Sequence, residues 1–300
     1  MKRALLFVAL SFGLNACFLF GDGGDDPKPV VKDSVAKFND SPVTILPSTE
    51  ILNEVSGMAA SQKNPGYLWL IEDSEAQAGI HLISDKGIYQ KFIPVAGTNR
   101  DWEDLAVGPG PKTGVSYVYA PDVGDNVKIY KEYQIYRFEE PTQNANNINS
   151  VEIIRFTYPN NTSYDSETIL IDPKTKDIYI VTKGEFNEKI FRLAYPQSLE
   201  SVKEAEFMGS IPIWGITGGD ISADGKEILL KTYFAVFYWR TRSGESIFQT
   251  LARARDVGAP YVSEPQGEAI CWDAGVKGYF TMSERSSQTE IPKLYYYSKK

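Results

Sequence analysis

The sequence predicts an all-β chain folded as a β-propeller of five four-stranded blades, and three observations predict it. From residue 50 onward, short runs rich in Tyr, Phe, Ile and Val are punctuated by Gly, Pro, Asn and Asp, the pattern of strands joined by turns. One unit recurs five times, its starts at residues 56, 103, 167, 220 and 268 standing 47 to 64 residues apart. The last unit is one strand short, and an unassigned strand lies ahead of the first.

Each unit opens with an inner-strand segment that begins on a polar residue: 56–61 (SGMAAS), 103–108 (EDLAVG), 167–172 (ETILID), 220–225 (DISADG) and 268–273 (EAICWD). Turns such as NPG at 64–66, DPKTKD at 172–177 and DAGVKG at 273–278 follow, where Gly, Pro, Asn and Asp supply the backbone angles of a tight reversal. The second strands are strongly apolar or aromatic: 67–71 (YLWLI), 117–120 (YVYA), 178–181 (IYIV), 228–230 (ILL) and 279–282 (YFTM). Two further runs complete a unit, as 79–83 (GIHLI) with 89–93 (YQKFI), or 134–138 (QIYRF) with 151–155 (VEIIR). The fifth unit stops after its third strand, 294–297 (LYYY), so a strand at 43–46 or 35–38 is expected to complete it, closing the ring and removing two open sheet edges. A split unit within 114–165 would raise the count to six.

Ahead of the propeller, expected over residues 34–300, the chain opens with a basic start, Lys2 and Arg3, and an apolar stretch from Ala4 to Leu14. That stretch is too short to span a bilayer and reads as a signal peptide over residues 1–16. Leu14-Asn15-Ala16-Cys17 resembles the bacterial lipobox, which implies lipidation of Cys17, and Phe18 stands where an inner-membrane retention signal would resemble Asp. The expected location is therefore the outer membrane, on its periplasmic face or at the cell surface, with residues 17–33 as a polar tether rich in Gly, Asp, Pro and Lys.

Without Lys2 and Arg3 the chain has 29 basic and 39 acidic residues, about −10, and no basic cluster, so nucleic acid is not an expected partner. Cys17 and Cys271 are the two cysteines; with Cys17 lipidated, no internal disulfide forms. The one histidine, His81, sits in an alternating strand far from any nucleophile motif, and no G-x-S-x-G elbow occurs, which argues against Ser-His-Asp and Cys-His mechanisms. Cys271 reads as a small core residue and the stretch 108–114 (GPGPKTG) as a turn, because its prolines cannot donate to a phosphate.

In a propeller the starts of the innermost strands meet at one mouth of the central channel. Ser56, Glu103, Glu167, Asp220 and Glu268 are therefore expected to form a ring, with the second-strand exits adding Glu72, Asp73, Asp122, Asp125, Asn126, Lys183, Lys231, Glu284 and Arg285. Four carboxylates facing one another repel by on the order of kcal/mol per pair unless compensated. A bound hard cation, ion pairing to Lys183, Lys231 and Arg285, or protonation of some of the acids would each compensate them. Calcium suits the first, with Glu103, Asp122, Asp125, Glu167, Asp220 and Glu268 as candidate ligands, because it takes six to eight oxygens. Ser56, Trp102, Lys183, Lys231 and Arg285 are the candidate ligand-binding residues, and Trp102, Tyr164, Trp214 and Tyr233 are candidates to stack on a sugar ring.

The segments 101–106 (DWEDLA), 122–126 (DVGDN), 219–225 (GDISADG) and 265–270 (PQGEAI) resemble a group of secreted bacterial β-propeller proteins sometimes labelled phytase-like or esterase-like. The likeness spans roughly residues 52 to 275, and the DWEDLA and DVGDN pair within one unit is its most specific part. It implies the propeller and an acidic mouth; propeller phytases have six blades and a dense calcium cluster, from which a five-unit chain departs. The expected function is a lipid-anchored envelope propeller that binds a small polar molecule or a protein partner at its acidic mouth, through calcium. The alternative is a metal-assisted hydrolase of a phosphoester, lactone or glycoside.

Overall fold

A computed structural model of the chain describes residues 35–73, 76–285, 287 and 291–300. The signal peptide, Cys17 and the tether lie outside the described residues. Short strands with turn residues at both ends assemble into five antiparallel sheets, with a first strand β1 (Val43–Ile45) that belongs to the last of them. Blade 1 comprises β2 (Val55–Ala60), β3 (Tyr67–Glu72), β4 (Gly79–Ser84) and β5 (Tyr89–Pro94). Blade 2 comprises β6 (Ala106–Pro109), β7 (Ser116–Asp122), β8 (Tyr133–Glu139) and β9 (Glu152–Thr157). Blade 3 is β10 (Ser166–Ile171), β11 (Ile178–Thr182), β12 (Glu188–Leu193) and β14 (Glu206–Ile211), preceded by a two-residue strand β13 (Lys203–Glu204) that adds parallel to β9.

Blade 4 is β15 (Ile216–Ile221), β16 (Glu227–Thr232), β17 (Val236–Arg240) and β18 (Val257–Ala259). A one-turn helix, α1 (Ile247–Ala252), lies between its last two strands, started by a reciprocal hydrogen-bonded cap of Ser246 and Gln249. Blade 5 is β19 (Gly267–Trp272), β20 (Gly278–Ser283) and β21 (Leu294–Ser298), completed by β1 in the register Val43↔Tyr296 and Ile45↔Leu294. The ring thus closes on the later of the two expected N-terminal strands. Phe38, from the other, makes an isolated bridge to Lys299.

The inner strands β2, β6, β10, β15 and β19 contact one another in sequence around the ring. Apolar layers fill the wedges between blades: Val55, Met58 and Leu70 against Cys271, Phe280 and Met282 at the closure, and Tyr133, Phe156 and Tyr158 against Ile169, Ile180 and Phe191 between blades 2 and 3. Strands covered on both faces carry continuous rather than alternating apolar residues, which is why every residue of β10, β16, β19 and β20 is buried. Cys271 is one of them, and the GPGPKTG stretch is the β6–β7 hairpin turn, both as expected from the sequence.

Near the axis the backbones crowd. A Cβ on Gly57 would lie 2.5 Å from the carbonyl carbon of Asp104 and 2.6 Å from the nitrogen of Leu105, in the neighbouring blade. Backbone cannot move aside as a side chain can, so Gly57→Ala is expected to cost about 2 kcal/mol, lowering the melting temperature by about 4 °C in a thermal scan.

Candidate functional site

Each inner strand starts with the same irregularity. Opposite Glu72 and Ile71 of β3, blade 1 places Val55 and Gly57, so Ser56 is the extra residue of a β-bulge. The same offset makes Glu167 the bulged residue of blade 3, Thr217 of blade 4 and Glu268 of blade 5. In blade 2 the bridge Trp102↔Asp122 followed by Ala106↔Tyr119 sets four steps against three, and Glu103 falls at the equivalent place. A bulge turns its extra side chain out of the sheet, and five of them at one end of the channel form a ring: Ser56, Glu103, Glu167, Thr217 and Glu268.

Three of the expected four acids are therefore brought together. Oxygens of Glu103, Glu167 and Glu268 lie within 4.8 Å of one another, all three residues being buried. Asp220 is not the fourth: it lies three residues further along β15, inside the channel, where its carboxylate accepts a hydrogen bond from the Trp272 backbone N–H at 2.8 Å. Burial pushes its pKa up to about 7. Asp104 plays the matching part from blade 2, accepting from Leu105 N–H at 2.8 Å and from Ile169 N–H of blade 3 at 2.9 Å. These two acids join neighbouring inner strands.

Lys183, at the exit of β11, donates to Glu167 Oε1 and stands 3.6 Å from Glu268 Oε1, which also accepts from the Tyr233 hydroxyl at 2.8 Å. The second oxygens, Glu167 Oε2 and Glu268 Oε2, are buried, and Glu167 Oε2 has no hydrogen-bond partner among the described residues. Glu103 is 3% exposed. Burial first, then the neighbouring carboxylates, pushes Glu103 and Glu167 well above the usual carboxylate range. Glu268 is raised by burial and drawn down by Lys183, by the Tyr233 hydroxyl and by a hydrogen bond with the Glu284 carboxyl. Burial and Glu268 together push Glu284 up to about 8. These acidic groups could hold a metal ion.

The NRDWEDLA segment owes its run of polar residues to separate tasks. Asn99 donates to the carbonyls of Glu72 at 3.0 Å and Asp73 at 2.8 Å and accepts from Trp102 N–H at 3.0 Å, tying the exit of β3 to this turn. Arg100 lies over the Tyr130 ring, 3.9 Å from its centroid, with its Nε 3.8 Å from Asp122. Asp101 meets Asp73 and Glu103 in a second group whose oxygens also lie within 4.8 Å of one another. Burial, then Asp73, pushes Asp101 up to about 8.

Several candidate residues stand elsewhere. Trp102 is fully buried between blades 1 and 2, its indole donating to Thr98 O at 3.1 Å, so no ligand stacks on it. The Asp122 carboxylate accepts from Asp101 N–H at 2.8 Å and Gln134 at 2.9 Å. Asp125 accepts from Ile129 and Tyr130 N–H, each at 2.9 Å, and from the Tyr133 hydroxyl at 2.8 Å. Both hold the DVGDN loop in shape, and neither joins the two carboxylate groups. Lys231 is buried between blades 4 and 5, where it donates to Gly267 O and lies 3.9 Å from Glu264; burial lowers its pKa to about 8. Arg285 donates to the carbonyls of Glu50 and Leu52. Ser56 does stand in the ring, but its hydroxyl donates to Trp102 O at 2.7 Å. His81 pairs with Glu72 at 3.1 Å, a structural strand residue as its alternating run implied.

Sequence reasoning missed Thr217, Asp104 and the apolar rim. Phe186, Trp214 and Phe234, exposed by 89%, 59% and 78%, stand on loops of this mouth face, and only Trp214 was singled out by its sequence position. The pairs Ser56-Gly57 and Thr217-Gly218 carried the signal for Thr217, since a Cβ on Gly218 would lie 2.5 Å from Glu268 O, as one on Gly57 would press on Asp104.

No protein-family model matches the chain, and no curated protein matches it. Solved structures that are similar include a luciferin-regenerating enzyme (11% identity, 86% of this chain and 95% of that one, TM-score 0.48) and the WD40 repeats of RRP9 (10% identity, 82% and 80%, TM-score 0.43). A putative 6-phosphogluconolactonase from Bacteroides uniformis is similar over 80% of this chain and 67% of that one, at 12% identity and a TM-score of 0.39. At this distance the likeness concerns the fold alone.

Proposed function

We propose that the mouth of this propeller is a hard-cation site, with calcium as its ion, through which the protein binds a small oxyanion-bearing ligand. Glu103, Glu167 and Glu268 hold the cation, and Lys183 faces the same space. One observation carries the reading: Glu167 Oε2 is buried beside Glu103 with no donor among the described residues, and Glu268, whose Oε2 is also buried, has only the carboxyl of Glu284 to meet besides Lys183 and Tyr233. A buried carboxylate oxygen without a partner is costly, and a lysine opposite three glutamates leaves two negative charges over, which a divalent ion offsets. Calcium accepts carboxylate oxygens in irregular sets and retains coordination positions for water or for a ligand's oxygens.

The protein would work in the bacterial cell envelope, held at the outer membrane by lipid on Cys17, with the ligand arriving at the mouth face. Calcium added to chelator-treated protein at about 100 times its dissociation constant is expected to stabilise the fold by about 2.7 kcal/mol, a melting temperature roughly 5 °C higher. Glu167→Gln combined with Glu268→Gln should abolish that rise. A melting temperature indifferent to calcium would refute the cation site and leave Lys183 and bound protons as the compensation.

A further inference from the structure

Of the four Phe and Trp side chains more than half exposed among the described residues, three, Phe186, Trp214 and Phe234, stand on mouth-face loops of neighbouring blades. Val127 and Ile129, also exposed, top the β7–β8 loop of blade 2. Polar links bind these loops into one arc. Glu185 accepts from Lys128 and from Lys189, each at 2.7 Å, which fixes the blade 2 loop against the Phe186 turn of blade 3. The buried carboxylate of Glu188 accepts from Gly184 N–H at 3.1 Å and Gly215 N–H at 2.8 Å, which fixes the Phe186 turn against the Trp214 turn. The Thr232 hydroxyl accepts from Phe234 and Ala235 N–H at 3.2 and 3.1 Å, and Lys183 stands 5.1 Å from the ring centroid of Tyr233, beside Phe234. Five apolar side chains are thus held outward by braced turns, a cost in water that a covering partner offsets.

Charge selects that partner. In segments 126–131, 183–189, 212–215 and 233–235, with Lys183 set aside because it faces the glutamates, the exposed or half-buried charges are Lys128, Lys131 and Lys189 against Glu185. Three positive against one negative leaves a surplus of two on the arc of a chain whose net charge is −8. Glu132, next along, pairs with Arg155 at 3.8 Å. A protein partner needs one continuous complementary face, whereas lipid closes around separate side chains, with lysine stems along the apolar layer and their ammonium groups at the phosphates. We propose that this arc docks the propeller on an anionic phospholipid bilayer. Phe186, Trp214 and Phe234 enter the boundary between headgroups and acyl chains, and Lys128, Lys131 and Lys189 face the phosphates. The channel mouth then opens onto the headgroup layer. The docking does not rest on the cation site.

Trp214 supplies the readout, because the other four tryptophans, Trp69, Trp102, Trp239 and Trp272, are buried. Val35–Lys300 forms one compact unit that holds all five blades and the closing strand, so the propeller is tested without the segment ahead of it, and in chelator. With vesicles of phosphatidylcholine and phosphatidylglycerol carrying brominated acyl chains, Trp214 emission is expected to shift to the blue and be quenched. Vesicles of phosphatidylcholine alone should bind about tenfold more weakly. Phe186→Ser combined with Phe234→Ser, both at exposed positions, should weaken binding about a hundredfold at an unchanged melting temperature. Quenching that is absent, or that survives both substitutions, would overturn the proposal, as would equal binding to the two kinds of vesicle. A propeller that sediments as a dimer and is split by the same substitutions would also overturn it, the arc then serving a second copy. With chelator present throughout, none of these outcomes bears on the cation site.

Discussion

Lys183→Met lowers the melting temperature of the calcium-free protein by about 6 °C, and calcium restores more than it gives the wild type. The lysine is the one cation among the described residues that touches the glutamate group, donating to Glu167 and standing 3.6 Å from Glu268. Its pKa is raised because burial, which opposes its charge, is outweighed by those two carboxylates. Removing one partner of a buried pair costs about 3–5 kcal/mol, at the lower end here because the glutamates can take up protons and Lys183 is partly exposed, and each kcal/mol moves a domain of this size by about 2 °C. The lysine engages Oε1 of both glutamates, while Oε2 of Glu167 lacks a partner among the described residues. A cation and the ammonium group therefore compete for charge rather than for the same atoms. Without the ammonium, calcium should bind about tenfold more tightly by calorimetric titration. An unchanged melting temperature, or a loss of calcium binding, would contradict this arrangement.

The calcium-free protein loses stability as pH rises from 5.5 to 8. Burial first, then the charges of Glu167 and Glu268 on Glu103 and of Glu268 on Glu167, raises Glu103 and Glu167 well above their usual range, and Asp220, Asp101 and Glu284 are raised to about 7, 8 and 8. For an acid whose pKa is higher in the folded state, the native protein holds a proton that the unfolded chain has already released. Stability is then greatest below the unfolded value near 4.5 and falls until the pH passes the folded one, by about 1.4 kcal/mol per pH unit for each proton retained. Calcium displaces the protons on the mouth glutamates, Asp220 keeping its own, and its affinity climbs with pH as those carboxylates ionise. Saturating calcium should flatten the fall, so that its effect on the melting temperature is several degrees larger at pH 8 than at 5.5. A chelated protein more stable at pH 8 would show that these acids are ionised and neutralised by the chain itself.

The five-blade plan was readable because it rests on local signals: turn residues at regular intervals, aromatic second strands, and a missing last strand supplied by the N-terminal side. Glu103, Glu167 and Glu268 were readable for the same reason, standing at the start of an inner strand. Asp220 was misplaced because the units were aligned on the carboxylate, whereas the backbone repeats on the bulge, whose occupant in blade 4 is Thr217. Asp122 and Asp125 look like ligands in sequence, but hydrogen bonds from Gln134, Tyr133 and loop N–H groups depend on how a ten-residue loop folds back, which no local pattern reveals. Trp102 beside three acids suggests a surface; its burial follows from Asn99 and Arg100 turning the acids around it. The second group, joining Asp73 of blade 1 to Asp101 of blade 2, depends on contact between blades and was not assembled as a unit from the sequence.

Anomalous diffraction from crystals soaked in a lanthanide, a calcium substitute with strong scattering, tests the central claim most directly. The account predicts a peak at the mouth of the channel, about 2.3–2.6 Å from oxygens of Glu103, Glu167 and Glu268. A mouth without a peak, with Lys183 drawn fully between Glu167 and Glu268, would contradict it.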